Sequence, residues 1–185
     1  MNKKVTSKEE LLIKAKELVK EGGLKNLDMR KIASKSNIAL GSTYNYFESK
    51  SDLINQTIES IFKEVMSKSY SSFTSDSFID AIYNLYISIK ELSTKYPSFI
   101  KDHTIYASKD GYEIMNKYLT HIKLNLLNVL KKDSKVDETA FNNVLTKEGY
   151  VTFIFNNLNQ ALTQDNYNID LLIEVIKKTI YKKGN

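Results

Sequence analysis

An all-α fold of about nine helices is predicted, on three observations. The 185 residues hold one proline and six glycines, so few positions interrupt a helix. No stretch alternates apolar and polar residues as a half-buried strand does. Apolar residues recur instead at intervals of three and four, and hydrophobic residues reach 42% of the chain, enough for a core.

The elements follow in order. "TSKEEL" opens the first helix, with Ser7 and Glu10 at capping-box spacing. Leu11, Leu12, Ala15, Leu18 and Val19 form its apolar stripe, and Gly22-Gly23 end it. Asp28 caps a short second helix with Met29, Ile32 and Ala33 inward. "KSNI" reads as a turn, and a third short helix runs from about Ala39 to Phe47. Ser49 with Asp52 starts a long fourth helix carrying Leu53, Ile54, Ile58, Ile61, Phe62, Val65 and Met66. The hydroxyl-rich stretch 67–77 marks a boundary. Further helices are expected at 77–95, at about 97–108 with Pro97 in the first turn, and at 111–132 after a break at "KDG". A long helix at 137–163 and a last one at about 168–182, after "QDNYN", complete the chain. The last carries Ile169, Leu172, Ile173, Ile176 and Ile180 on one side.

The net charge of +5 is uneven: residues 1–55 hold 11 basic and 7 acidic side chains, a surplus of +4, and residues 56–185 add only +1. Such an excess points to a polyanion only in company with a binding motif. The absence of cysteine excludes disulfides and thiolate metal ligands and fits a reducing compartment. The N-terminus lacks the apolar run of a signal peptide, and nothing approaches the roughly 20 apolar residues of a membrane span. A soluble cytoplasmic protein without membrane contact is expected. There is no glycine-rich phosphate loop, no H-E-x-x-H and no nucleophile flanked by a base. No catalytic, metal or cofactor residue is therefore assigned, and the chain is not read as an enzyme.

The first 50 residues make a long helix, a short helix, a tight turn and a second short helix, which is a helix-turn-helix within a three-helix unit. Gly41 and Ser42 would let the second short helix approach DNA closely. Hydroxyls, amides and Lys50 suit phosphate oxygens. The segment "LDMRKIASKSNIALGSTYNYFESKSDL" resembles the DNA-binding segment of TetR-family transcriptional regulators. Ile32-Ala33, Ile38, Gly41, Tyr44, Tyr46, Phe47, Ser49, Lys50 and Leu53 match that family's pattern in register, and the likeness covers roughly residues 8–54.

The resemblance implies a DNA-binding head at 1–48 and a ligand-binding and dimerisation domain at 49–185, linked by helix 4. It implies DNA contact by Arg30, Leu40, Gly41, Ser42, Tyr44, Asn45, Tyr46 and Lys50. Arg30 would meet a phosphate or a base edge; residues 40–46 would face the major groove, with the Tyr44 and Tyr46 hydroxyls toward phosphates. Packing is the competing role for Tyr46. Lys50 would grip the DNA backbone at a helix start, and Phe47 would pack inward. Arg30 is the one arginine against 26 lysines, consistent with a need for bidentate geometry. Two positions depart from the pattern: Ala39 stands where a capping Ser or Thr is usual, and Leu40 replaces a commonly polar residue. Leu40 can make only apolar contact, for example with a thymine methyl.

For the remainder, the resemblance implies an inducer pocket among helices 4 to 8. Its candidates are Phe62, Met66, Tyr83, Tyr86, Phe99, His103, Tyr106, Met115, Tyr118, His121 and Asn157, and core packing competes for each. The two histidines lie on different helices and make a poor metal site. A dimer interface is expected on the last two helices, with Phe141, Val151, Phe155, Leu158, Leu162, Leu171 and Val175 as candidates. The function read here is a ligand-responsive repressor that binds a palindromic operator as a homodimer and is released by a small-molecule inducer. The competing reading is a helical small-molecule-binding or protein-interaction module that no longer binds DNA.

Overall fold

The computed structural model describes residues 6–163 and 169–182. Ten α-helical segments occur among them: α1 (Lys8–Gly22), α2 (Met29–Ser36), α3 (Leu40–Thr43), α4 (Lys50–Lys68), α5 (Tyr70–Phe73), α6 (Phe78–Lys95), α7 (Phe99–Tyr106), α8 (Lys109–Lys132), α9 (Lys147–Thr163) and α10 (Ile169–Ile180). The all-α expectation holds; the only strand-like pairing among the described residues is an isolated bridge between Val136 and Tyr181. No described helix is long and apolar enough to cross a membrane. The chain forms two compact units, one of Met1–Glu64 with Leu92–Lys117 and one of Val65–Glu91 with Tyr118–Asn185. The head expected at 1–48 lies inside the first.

Local chemistry explains the first unit's elements. The Ser7 hydroxyl accepts the Glu10 amide at 3.1 Å while the Glu10 carboxylate accepts the Ser7 amide at 3.3 Å, so two otherwise orphaned donors of α1 are met. Gly23 at φ 73° ends α1 in a conformation that favours glycine. Asp28 caps α2 by accepting the Arg30 amide at 2.9 Å. Asn37, left-handed at φ 54°, ends α2 and turns the chain toward α3. Leu11, Val19, Leu24, Leu27, Ile32, Phe47, Leu53 and Ile61 are fully buried and hold α1, α2 and α4 around the short α3.

Two further anchors occur in this unit. Asn55 on α4 donates to the Ser108 hydroxyl at 2.6 Å and accepts the Ser108 amide at 3.2 Å, fastening α4 to the start of α8. Glu64 on α4 accepts the Tyr96 hydroxyl at 2.9 Å and pairs with Lys95 and, at 3.5 Å, with Lys16 of α1. Burial pushes the Glu64 carboxyl up, but these partners outweigh it and hold it below its ordinary value of 4.5. His103 on α7 stacks on Phe99 at 5.3 Å and meets Phe62 edge-on at 5.7 Å. Burial lowers its pKa below 6.5 against the opposing Phe99 carbonyl and nearby Asp102.

Both folded-state values are depressed, so the stabilisation is complete above 6.5 and 4.5 and is lost as the pH falls through each folded value. The melting temperature, followed by circular dichroism, is therefore expected to fall as the pH drops below 6.5 and again as it drops below 4.5, and His103→Gln is expected to remove the upper step alone.

The second unit is tied together at Asp133, a buried carboxylate that accepts the amide of Phe78 at 2.9 Å, that of Lys135 at 3.0 Å, and the hydroxyl of Tyr181. It thereby joins the start of α6 to the ends of α8 and α10. Burial and the adjacent Asp133 carboxylate push the Tyr181 phenol well above its usual range.

Four element boundaries differ from expectation. α3 stops at Thr43, whose hydroxyl donates to the Leu40 carbonyl at 2.6 Å, and residues 44–46 continue as a turn. Pro97 precedes α7 rather than entering it, and Ser98 adopts φ 63°. Lys109-Asp110-Gly111 lie within α8, the break falling at Ala107-Ser108 instead. The helix expected at 137–163 begins only at Lys147. Before it, Asp137 caps a 3₁₀ turn at Glu138–Ala140. Asn142 Oδ1 then accepts the amides of Val144 and Leu145 at 2.8 and 2.9 Å. Such Asx and cap bonds satisfy the backbone locally and displace the helix. The "QDNYN" break lies outside the described residues, between the end of α9 at Thr163 and the start of α10 at Ile169.

Candidate nucleic-acid interface

α2 and the start of α4 bring the expected DNA-facing residues together around α3. Arg30, Leu40, Tyr44 and Lys50 line one surface depression of about 440 Å³ with Asp28, Met29, Glu48 and Ser49. Ser49 caps α4 by accepting the Asp52 amide at 3.0 Å, so Lys50 stands at the first position of a 19-residue helix. The positive end of that helix therefore opens on the depression.

The cations of this chain are only partly paired. Lysines at 14, 16, 35, 63, 68, 95, 131, 147 and 178 each pair with a carboxylate. Arg30 and Lys50 are exposed and have no ion pair among the described residues. Tyr44 is 54% exposed and its hydroxyl has no partner among the described residues, and Asn45 is exposed beside it. Gly41 is exposed, and a Cβ built there would meet nothing within 4 Å. Its bareness serves no internal contact.

Tyr46 requires correction. Its hydroxyl donates to the Thr6 carbonyl at 2.7 Å, so its one proton is already used and is not directed to a phosphate. The ring braces α3 against the segment leading into α1. Phe47 is fully buried, as expected, and Ala39 offers no side-chain cap to α3. Sequence reasoning missed Met29 and Ser49 as walls of the depression, because only the folded turn brings them beside Leu40.

The expected pocket residues are dispersed between the two units. Phe62, Phe99 and His103 cluster in the first, where Met115 is buried and Tyr106 half-buried. In the second, Tyr86 is buried, Met66 and Tyr118 are half-buried, and Tyr83 and His121 are exposed. Asn157 donates to the Phe153 carbonyl of its own helix at 2.8 Å. Among the described residues, no three His, Cys, Asp or Glu side chains are placed to hold a metal.

The interface candidates also need correction. Val151, Phe155 and Leu158 are at most 3% exposed and form the core of their own unit. Phe141 packs edge-on against Tyr150 at 6.0 Å, and the Leu162 side chain lies outside the described residues. The outward apolar groups are Phe153 on α9 at 57% exposure, with Leu171 and Val175 on α10 at 65% and 38%. Phe153 was illegible because α9 is apolar at 150, 151, 153, 154, 155 and 158, which leaves no polar face to select against.

Residues 11–57 match the family model described as bacterial regulatory proteins, tetR family. The match spans the three-helix segment with its helix-turn-helix and stops in α4. The chain shares its fold with a transcriptional regulator from Rhodococcus sp. Rha1 at 15% identity and a TM-score of 0.75, covering 97% of this chain and 100% of that one. It is similar to the multidrug binding protein EbrR, solved with imidazole, at 16% identity and TM-score 0.63, with 98% of both chains covered. The superantigen PfiT is similar too, at 16% identity and TM-score 0.64, covering 96% of this chain and 97% of that one. No curated protein matches in sequence. The family match falls on the helix-turn-helix segment and supports a DNA-binding transcriptional regulator.

Proposed function

We propose that this chain is a DNA-binding transcriptional repressor which binds a palindromic operator as a homodimer and is released by a small molecule. The depression that gathers Arg30 and Lys50 with Leu40 and Tyr44 carries the proposal. In it a guanidinium, an ammonium and a helix start supply phosphate contacts around an exposed recognition turn. The exposed Phe153, Leu171 and Val175 support a second copy as partner, since large apolar side chains on two helices of one unit would otherwise face water. Ligand response is supported by the likeness to EbrR, which is described as a multidrug binding protein. A ligand that favours one arrangement of α4 over another would lower operator affinity by its differential binding. The superantigen likeness fits a module without DNA binding, and the gathering of Arg30 and Lys50 beside a helix start counts against it.

Fluorescence anisotropy with DNA upstream of the gene tests the proposal. Arg30→Ala is expected to weaken binding by about 10- to 100-fold, the range of one well-formed Arg contact. Lys50→Ala is expected to reduce the slope of log affinity against log salt by about 0.9 for each phosphate that the ammonium neutralises. Folded protein that shows no salt-dependent binding to any upstream duplex would refute it.

A further inference from the structure

We propose that Leu40 reads a thymine through its 5-methyl group, and so fixes a T·A pair in each half-site of the operator. The inference rests on the DNA-binding reading of the same depression and specifies what that site recognises. Leu40 is the first residue of α3 and remains 37% exposed, although buried leucines surround the head. Tyr44, one turn later, is 54% exposed, and the two side chains share the depression with Met29. Leu40 and Tyr44 thus form an apolar notch within a mostly polar depression, whose rim carries Arg30 and Lys50 as cations and Asp28 and Glu48 as acids. Asp28 is occupied in capping α2.

The neighbours narrow the assignment. Gly41 has no side chain, Thr43 is buried with its hydroxyl on the Leu40 carbonyl, and Ser42 is half-buried. Leu40 is thus the one residue of α3 with an exposed side chain long enough to reach across a groove. Among base edges in the major groove, donors and acceptors predominate, and the thymine C5-methyl is the apolar group on display. A leucine laid on guanine or cytosine edges would strip water from their polar atoms and return no hydrogen bond. Against thymine it buries a methyl that needs no hydrogen bond. The notch therefore selects by attraction and by exclusion together.

The test uses duplexes selected by the full-length protein from a random library, with each thymine then replaced by deoxyuridine, which removes the methyl and keeps the base pair. One position per half-site is expected to weaken binding about fourfold, the factor for one buried methyl, and substitution in both half-sites about 15-fold. Leu40→Ala is expected to bind thymine and uracil duplexes equally while retaining its salt dependence. Wild-type binding that is indifferent to uracil at every position overturns the assignment, as does Leu40→Ala that still prefers thymine. If no duplex is selected at all, the DNA-binding reading fails and this inference falls with it; selection without a methyl effect removes the inference alone.

Discussion

Gly41→Ala is expected to stabilise the protein and to weaken its grip on DNA. Glycine within a helix costs about 0.5–1 kcal/mol relative to alanine, chiefly through the conformational freedom it loses on folding. Gly41 is the second residue of α3, its backbone needs no glycine-only conformation, and an added Cβ would touch nothing within 4 Å. The fold thus bears a cost from which its own packing draws no benefit. The vacancy faces outward beside the Arg30 and Lys50 depression, where a bare backbone lets the recognition turn settle closely on a partner. Thermal unfolding should show a melting temperature about 1–4 °C higher in Gly41→Ala. Operator affinity should drop by about tenfold or more, the equivalent of about 1.4 kcal/mol, since the methyl holds α3 off the groove floor and weakens its neighbours' hold as well. A variant that melts higher and binds as well as wild type would remove Gly41 from the interface. One that melts lower would mean that α3 does not hold the conformation described.

Gly111→Ala is expected to be the most damaging single methyl in the first unit. A Cβ there would lie 2.4 Å from the Asn55 side-chain oxygen, 3.0 Å from its Cγ and 3.2 Å from the Ala107 Cβ. Asn55 is only 9% exposed, and both ends of its amide are committed to Ser108. Turning it aside would orphan buried polar groups on α4 and at the start of α8, at about 1–3 kcal/mol, and the overpacking adds a similar amount. A loss of about 2–4 kcal/mol corresponds to a fall of roughly 5–15 °C in melting temperature for a chain of this size. Asn55→Ala should also destabilise. Combining it with Gly111→Ala should cost less than the two separately, because the new methyl enters space the amide has left. Strict additivity in that cycle would show that the two residues do not meet.

What was legible in the sequence was what is local. Ser7 with Glu10, Asp28 and Ser49 with Asp52 cap helices within four residues of themselves, so their spacing alone placed three helix starts. The same locality misled at 137–146, where apolar spacing suggested a helix and the Asn142 side chain claimed the backbone first. Tyr46 was illegible for the opposite reason: its partner, the Thr6 carbonyl, lies 40 residues away, and no pattern around "YNYF" reports it. Its twin Tyr44 has the same chemistry and no hydroxyl partner among the described residues, and only the fold tells the two rings apart. The same holds for the depression, which takes residues from α2, α3, α4 and the turn between, so its walls became adjacent only on folding.

The way the backbone passes between the two compact units bears on how such a chain can be altered. The changeovers fall at Glu64–Val65, Glu91–Leu92 and Lys117–Tyr118, inside α4, α6 and α8. None is a linker. Recombination that exchanged one unit for a relative's would need three simultaneous splices, each within a continuous helix and each preserving its hydrogen-bond phase. An engineer seeking to replace one unit while keeping the other faces that restriction, whereas point substitutions and changes in surface turns such as 141–146 leave the three helices whole.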